Sequence, residues 1–456
     1  MSVALKNHYV STRNACKLCT PLGATLVFKG IEGAMSLLHG SQGCSTYIRR
    51  YLISHFREPV DIASSNFSEE TAVFGGGKNF ATALQNIVAQ YHPSLVGIAT
   101  TCLSETIGED VPGMIRSITA EFFKQGPVLV HVSTPSYTGT HAEGFWAATR
   151  AVVERLGGKS RLGNRGGQIN IFPGICSPAD LRLLKEIAAD FGLYAVILPD
   201  YSKTLDGPSW SDYHPLPAGG TPIEDITSMG WSLGSLTLGR VACVNIGKTA
   251  GEFLRSGFDV RHYPLGMPIG VQETDELMQT FEIVSGVHIP EKYLLERGQL
   301  VDALTDGHKY VFEKKAFVYG EEDLVLGIAT FLSEIGITPV LCASGAKSGN
   351  FKRLLDERIP LLKGKIEVAD GEDFAGIAER AQRLQPDIMI GNSKGYSIAR
   401  DLKIPLVRIG FPVHDRIGSQ RIQHYGYRGA LALYDRIVNA LLEAKQDDSS
   451  VGYSYL

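Results

Sequence analysis

Short apolar runs, each closed by Gly, Pro, Ser or Asn, recur along most of the chain. They are Leu95–Thr101, Pro127–Ser133, Ile169–Gly174, Ala195–Asp200, Val241–Ile246, Ala316–Gly320, Thr338–Cys342 and Asp387–Gly391. Each is brief and β-branched between its turn residues, which is the pattern of buried parallel strands. Stretches with helical periodicity lie between many of them. One is Asp323–Gly336, which closes on a glycine as a helix C-terminus does. Strand–helix alternation of this kind predicts doubly wound α/β domains, whose ligands collect beyond the carboxyl ends of the strands.

Length and breaks then set the organisation. At roughly 150 residues per domain, 456 residues suggest three domains. The Gly-rich, charged stretch 157–167 reads as a linker, and a second break falls near Lys309–Lys315. The expected domains are therefore 1–165, 166–310 and 311–456. The chain is 44% hydrophobic and 20% charged, the balance of a globular protein. With 44 Lys+Arg against 48 Asp+Glu, the net charge of −4 argues against nucleic acid as a partner. No apolar run approaches a membrane span of about 20 residues. The opening Met1-Ser2-Val3-Ala4-Leu5-Lys6 lacks the apolar core of an export signal, so a cytoplasmic chain is expected.

The seven cysteines change the picture most. Their odd number in a long chain without an export signal argues for thiols rather than a disulfide framework. Cys176, Cys243 and Cys342 lie in or beside apolar runs and read as core. Cys19, Cys44 and Cys102 share a different setting. Cys19 opens the turn Cys19-Thr20-Pro21-Leu22-Gly23-Ala24. Cys44 closes the Gly-rich loop His39-Gly40-Ser41-Gln42-Gly43-Cys44, and Cys102 follows the carboxyl end of an expected strand. Thiolates beside glycines can grip a bulky sulfide-rich cluster, because the backbone can approach it closely. Intervals of 25 and 58 residues fit no compact zinc or ferredoxin pattern. By spacing alone, three buried structural cysteines is the commoner reading.

At these residues the chain resembles the β-type subunit of nitrogenase component 1 and the nitrogenase-like reductases. The matching stretches are Cys19–Ala24, His39–Cys44, His55-Phe56-Arg57-Glu58-Pro59, Ala72-Val73-Phe74-Gly75-Gly76, and Thr100-Thr101-Cys102 with Ile107-Gly108-Glu109-Asp110. They continue with Thr134-Pro135-Ser136, Gly391–Gly395, and Arg408–Pro412 with Asp415-Arg416. The resemblance thus covers nearly the whole chain, and it implies three α/β domains around a cluster site.

It further implies that Cys19, Cys44 and Cys102 hold half of an interfacial P-cluster (8Fe-7S) shared with an α-type subunit, with Cys44 bridging the cluster's two halves. Ser136 matches a serine that can ligate iron in an oxidised state; the alternative is a turn serine capping the next helix. Phe74 matches an aromatic at the docking face for an ATP-dependent iron protein, and Tyr47 one between the P-cluster and the catalytic cofactor. Either could instead be a core aromatic. Cys16, in Cys16-Lys17-Leu18-Cys19, departs from the commonest pattern and reads as a neighbouring thiol that is not a ligand, with a metal motif as the alternative.

Asp302 and Asp306 stand four apart, on one face of an expected helix, where they repel unless solvated, paired or metal-bound. Their oxygens suit a hard divalent cation. The resemblance implies such an ion at the contact between two β-type subunits of an α2β2 heterotetramer, held by the Arg57 carbonyl, Glu58, Asp302 and Asp306.

The expected role is electron relay in an oxidoreductase. The iron protein would deliver electrons through the P-cluster to an iron–sulfur cofactor (Mo, V or Fe-only) on the α-type partner, where dinitrogen or a methylthio-alkane is reduced. The short stretch before Cys19 and the Cys16–Cys19 pair lean towards the methylthio-alkane reductase type. This chain would carry no catalytic residue, and it has no Walker loop for ATP. Two other classes stand beside this one: a scaffold subunit for cofactor assembly, and a metal-free α/β binding protein. Retention of all three cluster cysteines favours the catalytic component.

Overall fold

The computed structural model describes residues 16–123, 126–158, 166–244 and 248–451. Among them, thirteen strands form three sheets in which every pairing is parallel. The first sheet holds β1 (Ala34–His39), β2 (Ile62–Ser64), β3 (Leu95–Thr100) and β4 (Val128–Val132) in the order β2-β1-β3-β4. The second holds β5 (Gln168–Phe172), β6 (Tyr194–Ile197), β7 (Ser235–Leu238) and β8 (His262–Leu265) in the order β6-β5-β7-β8. The third holds β9 (Lys315–Gly320), β10 (Thr338–Ser344), β11 (Glu367–Ala369), β12 (Ile388–Gly391) and β13 (Leu406–Arg408) in the order β11-β10-β9-β12-β13. This is the α/β class the sequence predicts.

The burial of β1 and β3 along their whole length has a direct cause. In β1, Ala34 and Leu38 face one apolar cluster while Met35 and Leu37 face another, so all six residues are buried. β3 repeats this, with Leu95 and Ala99 on one side and Val96 and Ile98 on the other. Parallel strands with both faces covered have no solvent side to keep polar.

One expected strand is a helix. The pattern at 241–246 predicts a strand, but Arg240–Val244 is helical, the strand is the preceding Ser235–Leu238, and residues 245 and 246 lie outside the described residues. The Asp323 carboxylate accepts the Val241 and Ala242 N–H groups at 2.7 and 3.2 Å, which satisfies the first turn of that helix. Most of the expected linker lies outside the described residues. The helix before it, His141–Leu156, ends at Gly157.

Two contacts position the site. The helix Thr20–Lys29 lies so close to the helix His141–Leu156 that a Cβ on Gly23 would stand 1.8 Å from the His141 carbonyl oxygen. A Cβ on Gly144 would stand 1.9 Å from that of Thr20. At the other end of the Thr20–Lys29 helix, the Phe28 ring covers Gly97 of β3, where a Cβ would meet it at 2.2 Å. Glycine is required at all three positions by backbone or ring approach. The result fixes Cys19 at the carboxyl end of the first sheet.

Candidate iron–sulfur site

The order of the first sheet reverses between β1 and β3, and the loops beyond these two strands diverge there. That divergence is where an open α/β sheet forms its ligand crevice. Cys44 lies in the first turn of the helix Gln42–Phe56 that follows β1, and Cys102, the residue after Thr101, is the first residue of a short helix. Cys19, in extended conformation, is the cap residue of the Thr20–Lys29 helix. All three are free thiols of intermediate burial.

Ser136, in the loop after β4, joins two of them. Its backbone N–H donates to Cys102 Sγ at 3.2 Å, and its hydroxyl oxygen accepts the Thr20 N–H at 3.1 Å. The same hydroxyl hydrogen-bonds the Cys19 thiol. The next helix is capped by Thr140 with Glu143, not by Ser136. The alternative of a local cap for Ser136 is thereby corrected: it caps a helix 116 residues away. Ser41 Oγ donates to Cys44 Sγ at 3.6 Å, and the space a Cβ on Gly43 would enter is open.

Burial pushes the Cys19 thiol above its ordinary value; the Ser136 hydroxyl pulls it back, and Cys44 and Cys102 push it up again. Three thiols within electrostatic reach cannot all ionise cheaply unless positive charge sits between them. Among the described residues, no three His, Cys, Asp or Glu side chains are grouped to hold a single metal ion. A multi-iron cluster asks for a different arrangement, with each thiolate on its own iron. The donor set, the N–H and O–H groups aimed at sulfur and the open space at Gly43 fit such a cluster.

Large apolar side chains rim the thiols. Tyr47, Leu103, Ile107 and Tyr137 are exposed, each within five residues of Cys44, Cys102 or Ser136. Phe74 is 84% exposed at the end of the helix Glu69–Phe74, which overturns the core-aromatic alternative for it. Tyr47 is 42% exposed, so it is not core either. Its ring lies 4.5 Å from that of Tyr51, which meets His414 at 5.0 Å beyond the third sheet. Burial, Tyr51 and Cys19 raise the Tyr47 phenol above its ordinary value.

The remaining cysteines stand apart. Cys16 is buried with Phe317, Tyr319 and Leu341 in a core of the third sheet, and burial pushes its thiol up to about 12. Cys342 lies within β10, and Cys243 lies in the helix Arg240–Val244. Burial raises both thiols. The Cys176 N–H donates to Tyr201 Oη at 3.1 Å.

The four oxygen donors divide into two groups. Arg57 ends the helix Gln42–Phe56 in a left-handed conformation and its guanidinium donates to the His414 carbonyl at 3.0 Å. Beside it, burial and Asp206 raise the Glu58 carboxyl. Asp302 and Asp306 are exposed on the helix Glu291–Val311. Within one chain, Glu58 and these two aspartates form no common metal group.

Two residues inside the matching motifs received no role from sequence. His39, fully buried, presents Nε2 to Glu109 Oε2 at 3.3 Å and Nδ1 to Ser65 Oγ at 3.0 Å. The only sequence signal was their presence in His39–Cys44 and Ile107–Asp110.

A model of the nitrogenase component 1 type oxidoreductases matches residues 19–442. The chain is 36% identical over 451 residues to the nitrogenase molybdenum-iron protein beta chain of Methanococcus maripaludis, covering 96% of each. It is 36% identical over 446 residues to the nitrogenase vanadium-iron protein beta chain of Trichormus variabilis, covering 94% of each. Among solved structures, nitrogenase Cp1 at pH 6.5 superposes with a TM-score of 0.93 at 33% identity, over 99% of this chain and 98% of that one.

Proposed function

The chain belongs to the nitrogenase component 1 type oxidoreductases as a β-chain-like subunit, and from that premise we propose that Cys19, Cys44 and Cys102 hold its half of an 8Fe-7S P-cluster shared with an α-type subunit. When bound, that cluster would supply one-electron storage between an ATP-dependent iron protein and the cofactor on the α-type partner. The observation that carries this reading is that Cys19 stands within electrostatic reach of both Cys44 and Cys102, free thiols from three separate segments of the chain, with Ser136 bonded to Cys19 and Cys102.

The chain's own residues divide the work. The three cysteines supply soft anionic ligands. The Ser136 N–H and the Ser41 hydroxyl donate to sulfur and spread its charge, which tunes a cluster's potential. Leu103, Ile107 and Tyr137 form an exposed apolar rim, as a face covered by another subunit would. Phe74 offers an aromatic anchor on the side where the iron protein docks. Tyr47 lines the route from Cys19 towards the partner's cofactor.

The similarity to beta chains of two metal types supports a catalytic component over an assembly scaffold. The metal of the partner's cofactor (Mo, V or Fe only) and the choice between dinitrogen and a methylthio-alkane belong to the α-type chain. The burial of Cys16 in a core removes the Cys16–Cys19 pair as a ligand argument for the latter. The Arg57 carbonyl and Glu58 of one copy, with Asp302 and Asp306 of a second, would bind a divalent cation and close an α2β2 assembly.

Iron analysis of the anaerobically purified α2β2 complex tests the main reading. About eight irons per αβ pair beyond those of the partner's cofactor, lost in Cys102→Ala together with electron delivery, is the expected result. A Cys102→Ala complex that keeps both would refute it; a simple four-iron signal without turnover would favour the scaffold.

A further inference from the structure

Three loops that the proposed function treats separately meet at one buried residue. His39 ends β1. Its backbone carbonyl accepts both the N–H and the hydroxyl of Thr101 at 3.2 Å each, and Thr101 is the residue before Cys102. Its successor, Gly40, opens the loop to Cys44. The Gly40 N–H donates to Ser65 Oγ at 3.0 Å, the atom that also faces His39 Nδ1. A Cβ on Gly40 would stand 2.1 Å from Thr101 Oγ1, so the two cysteine loops are in direct contact here.

The side chain of His39 points the other way, towards the surface that carries Phe74. Glu109 takes His39 Nε2 on one carboxylate oxygen and the Gly76 N–H on the other, at 3.3 and 2.8 Å. Gly76 lies two residues after Phe74, and the intervening Gly75 has φ of +91°. The His39 ring is held edge-on between Phe67 and Phe80, with centroids 4.9 Å away on each side. The ring and the carboxylate are 0% and 5% exposed. A bonded chain, Gly76–Glu109–His39, therefore runs through a packed aromatic cage from the exposed Phe74 turn to the loops of two cysteines. Packed cores transmit displacement because they have no slack to absorb it.

We propose that the His39–Glu109 pair is a positioning device through which contact at the Phe74 surface is felt at Cys44 and Cys102. The proposal rests on the reading above, in which those thiolates hold a cluster and Phe74 meets the electron donor. Neither residue ligates iron; both act through the loops they hold.

The test uses the complete α2β2 complex with its iron protein. Glu109→Ala cuts the link on both sides. Glu109→Asp is one methylene shorter and can reach only one of its two partners, and Glu109→Gln can still accept from Gly76 and donate to His39. The readouts are iron per αβ pair, the cluster's spectroscopic signature in the resting complex, turnover per cluster at saturating iron protein, and the half-saturating iron protein concentration. In Glu109→Ala, turnover per cluster is expected to fall about tenfold, the usual scale of coupling between two sites. Iron content and resting signature stay as in the wild type, and half-saturation moves less than about threefold. Glu109→Asp shows a smaller loss and Glu109→Gln recovers most of it. If Glu109→Ala does not assemble, the Asp and Gln pair carries the comparison. Wild-type turnover per cluster in Glu109→Asp, or a loss that merely tracks missing iron, overturns the proposal. A wild-type complex without the interfacial irons overturns the underlying reading instead.

Discussion

The backbone N–H of Ser136 donates to Cys102 Sγ at 3.2 Å, while the Ser136 hydroxyl bridges Cys19 and the first N–H of its helix. One residue thus carries two kinds of contact to the thiols, and only one of them is a side chain. Ser136→Ala leaves the N–H to Cys102 and removes the hydroxyl. A hydrogen bond to a thiolate stabilises the more reduced cluster, so its loss lowers the potential. The expected change is a fall on the order of 50 mV, matching about 1 kcal/mol for one hydrogen bond in a one-electron couple. Potentiometric titration of the complex measures it; an unchanged midpoint would mean the hydroxyl serves only to cap the Thr20–Lys29 helix.

Cys16 and Cys19, three residues apart, are expected to respond differently to the same substitution. Cys16 packs with Phe317, Tyr319 and Leu341, whereas Cys19 faces the other two thiols. Cys16→Ala should cost about 1–2 kcal/mol of stability through lost packing and leave the iron count intact. Cys19→Ala should remove iron with little packing cost. Equal iron loss in both variants would contradict the division.

Much of this was legible in the chain. The apolar runs mark β3, β4, β5, β6, β9, β10 and β12 because strands covered on both faces are predominantly apolar. The run at 241–246 has the same local character as a strand. What makes its described part, up to Val244, a helix is Asp323, about 80 residues onward, accepting the Val241 and Ala242 N–H groups. No local pattern carries that information. β1 is not legible as a strand because Ala34-Met35-Ser36-Leu37-Leu38-His39 contains no β-branched residue, although the fold buries all six. The three cysteines were legible through the motifs around them. The His39–Glu109 pair was not, because its meaning lies in contacts between loops 70 residues apart.

The oxygen donors offer a test of assembly. Asp302 and Asp306 face solvent, and Glu58 stands elsewhere on the same chain. If a divalent cation joins these groups across two copies, excess chelator should convert α2β2 to αβ in sedimentation velocity, and calcium should reverse it. Asp302→Asn with Asp306→Asn should sediment as αβ without any chelator. A tetramer that ignores both treatments would leave these acids as a solvated helix face.

Lys29 provides a pH signature independent of any cluster. It ends the helix Thr20–Lys29, is 4% exposed, and is held down to about 8 from 10.5, chiefly by burial, with Asp61 opposing and Arg49 adding to the fall. The unfolded chain keeps its ammonium protonated up to about 10.5, whereas the folded chain releases that proton from about 8. Between these values the folded state binds fewer protons, so stability rises with pH across that window. Below pH 8 the buried ammonium costs the fold roughly 3 kcal/mol relative to an unperturbed lysine. Lys29→Met keeps most of the apolar stem but carries no charge. It should melt at a higher temperature than wild type at pH 7, and the difference should shrink steadily as pH rises from 8 towards 10.5. A constant difference across that range would mean the substitution acts through packing alone. A lower melting temperature at pH 7 would mean that the attraction between Lys29 and Asp61 outweighs the cost of burying the charge.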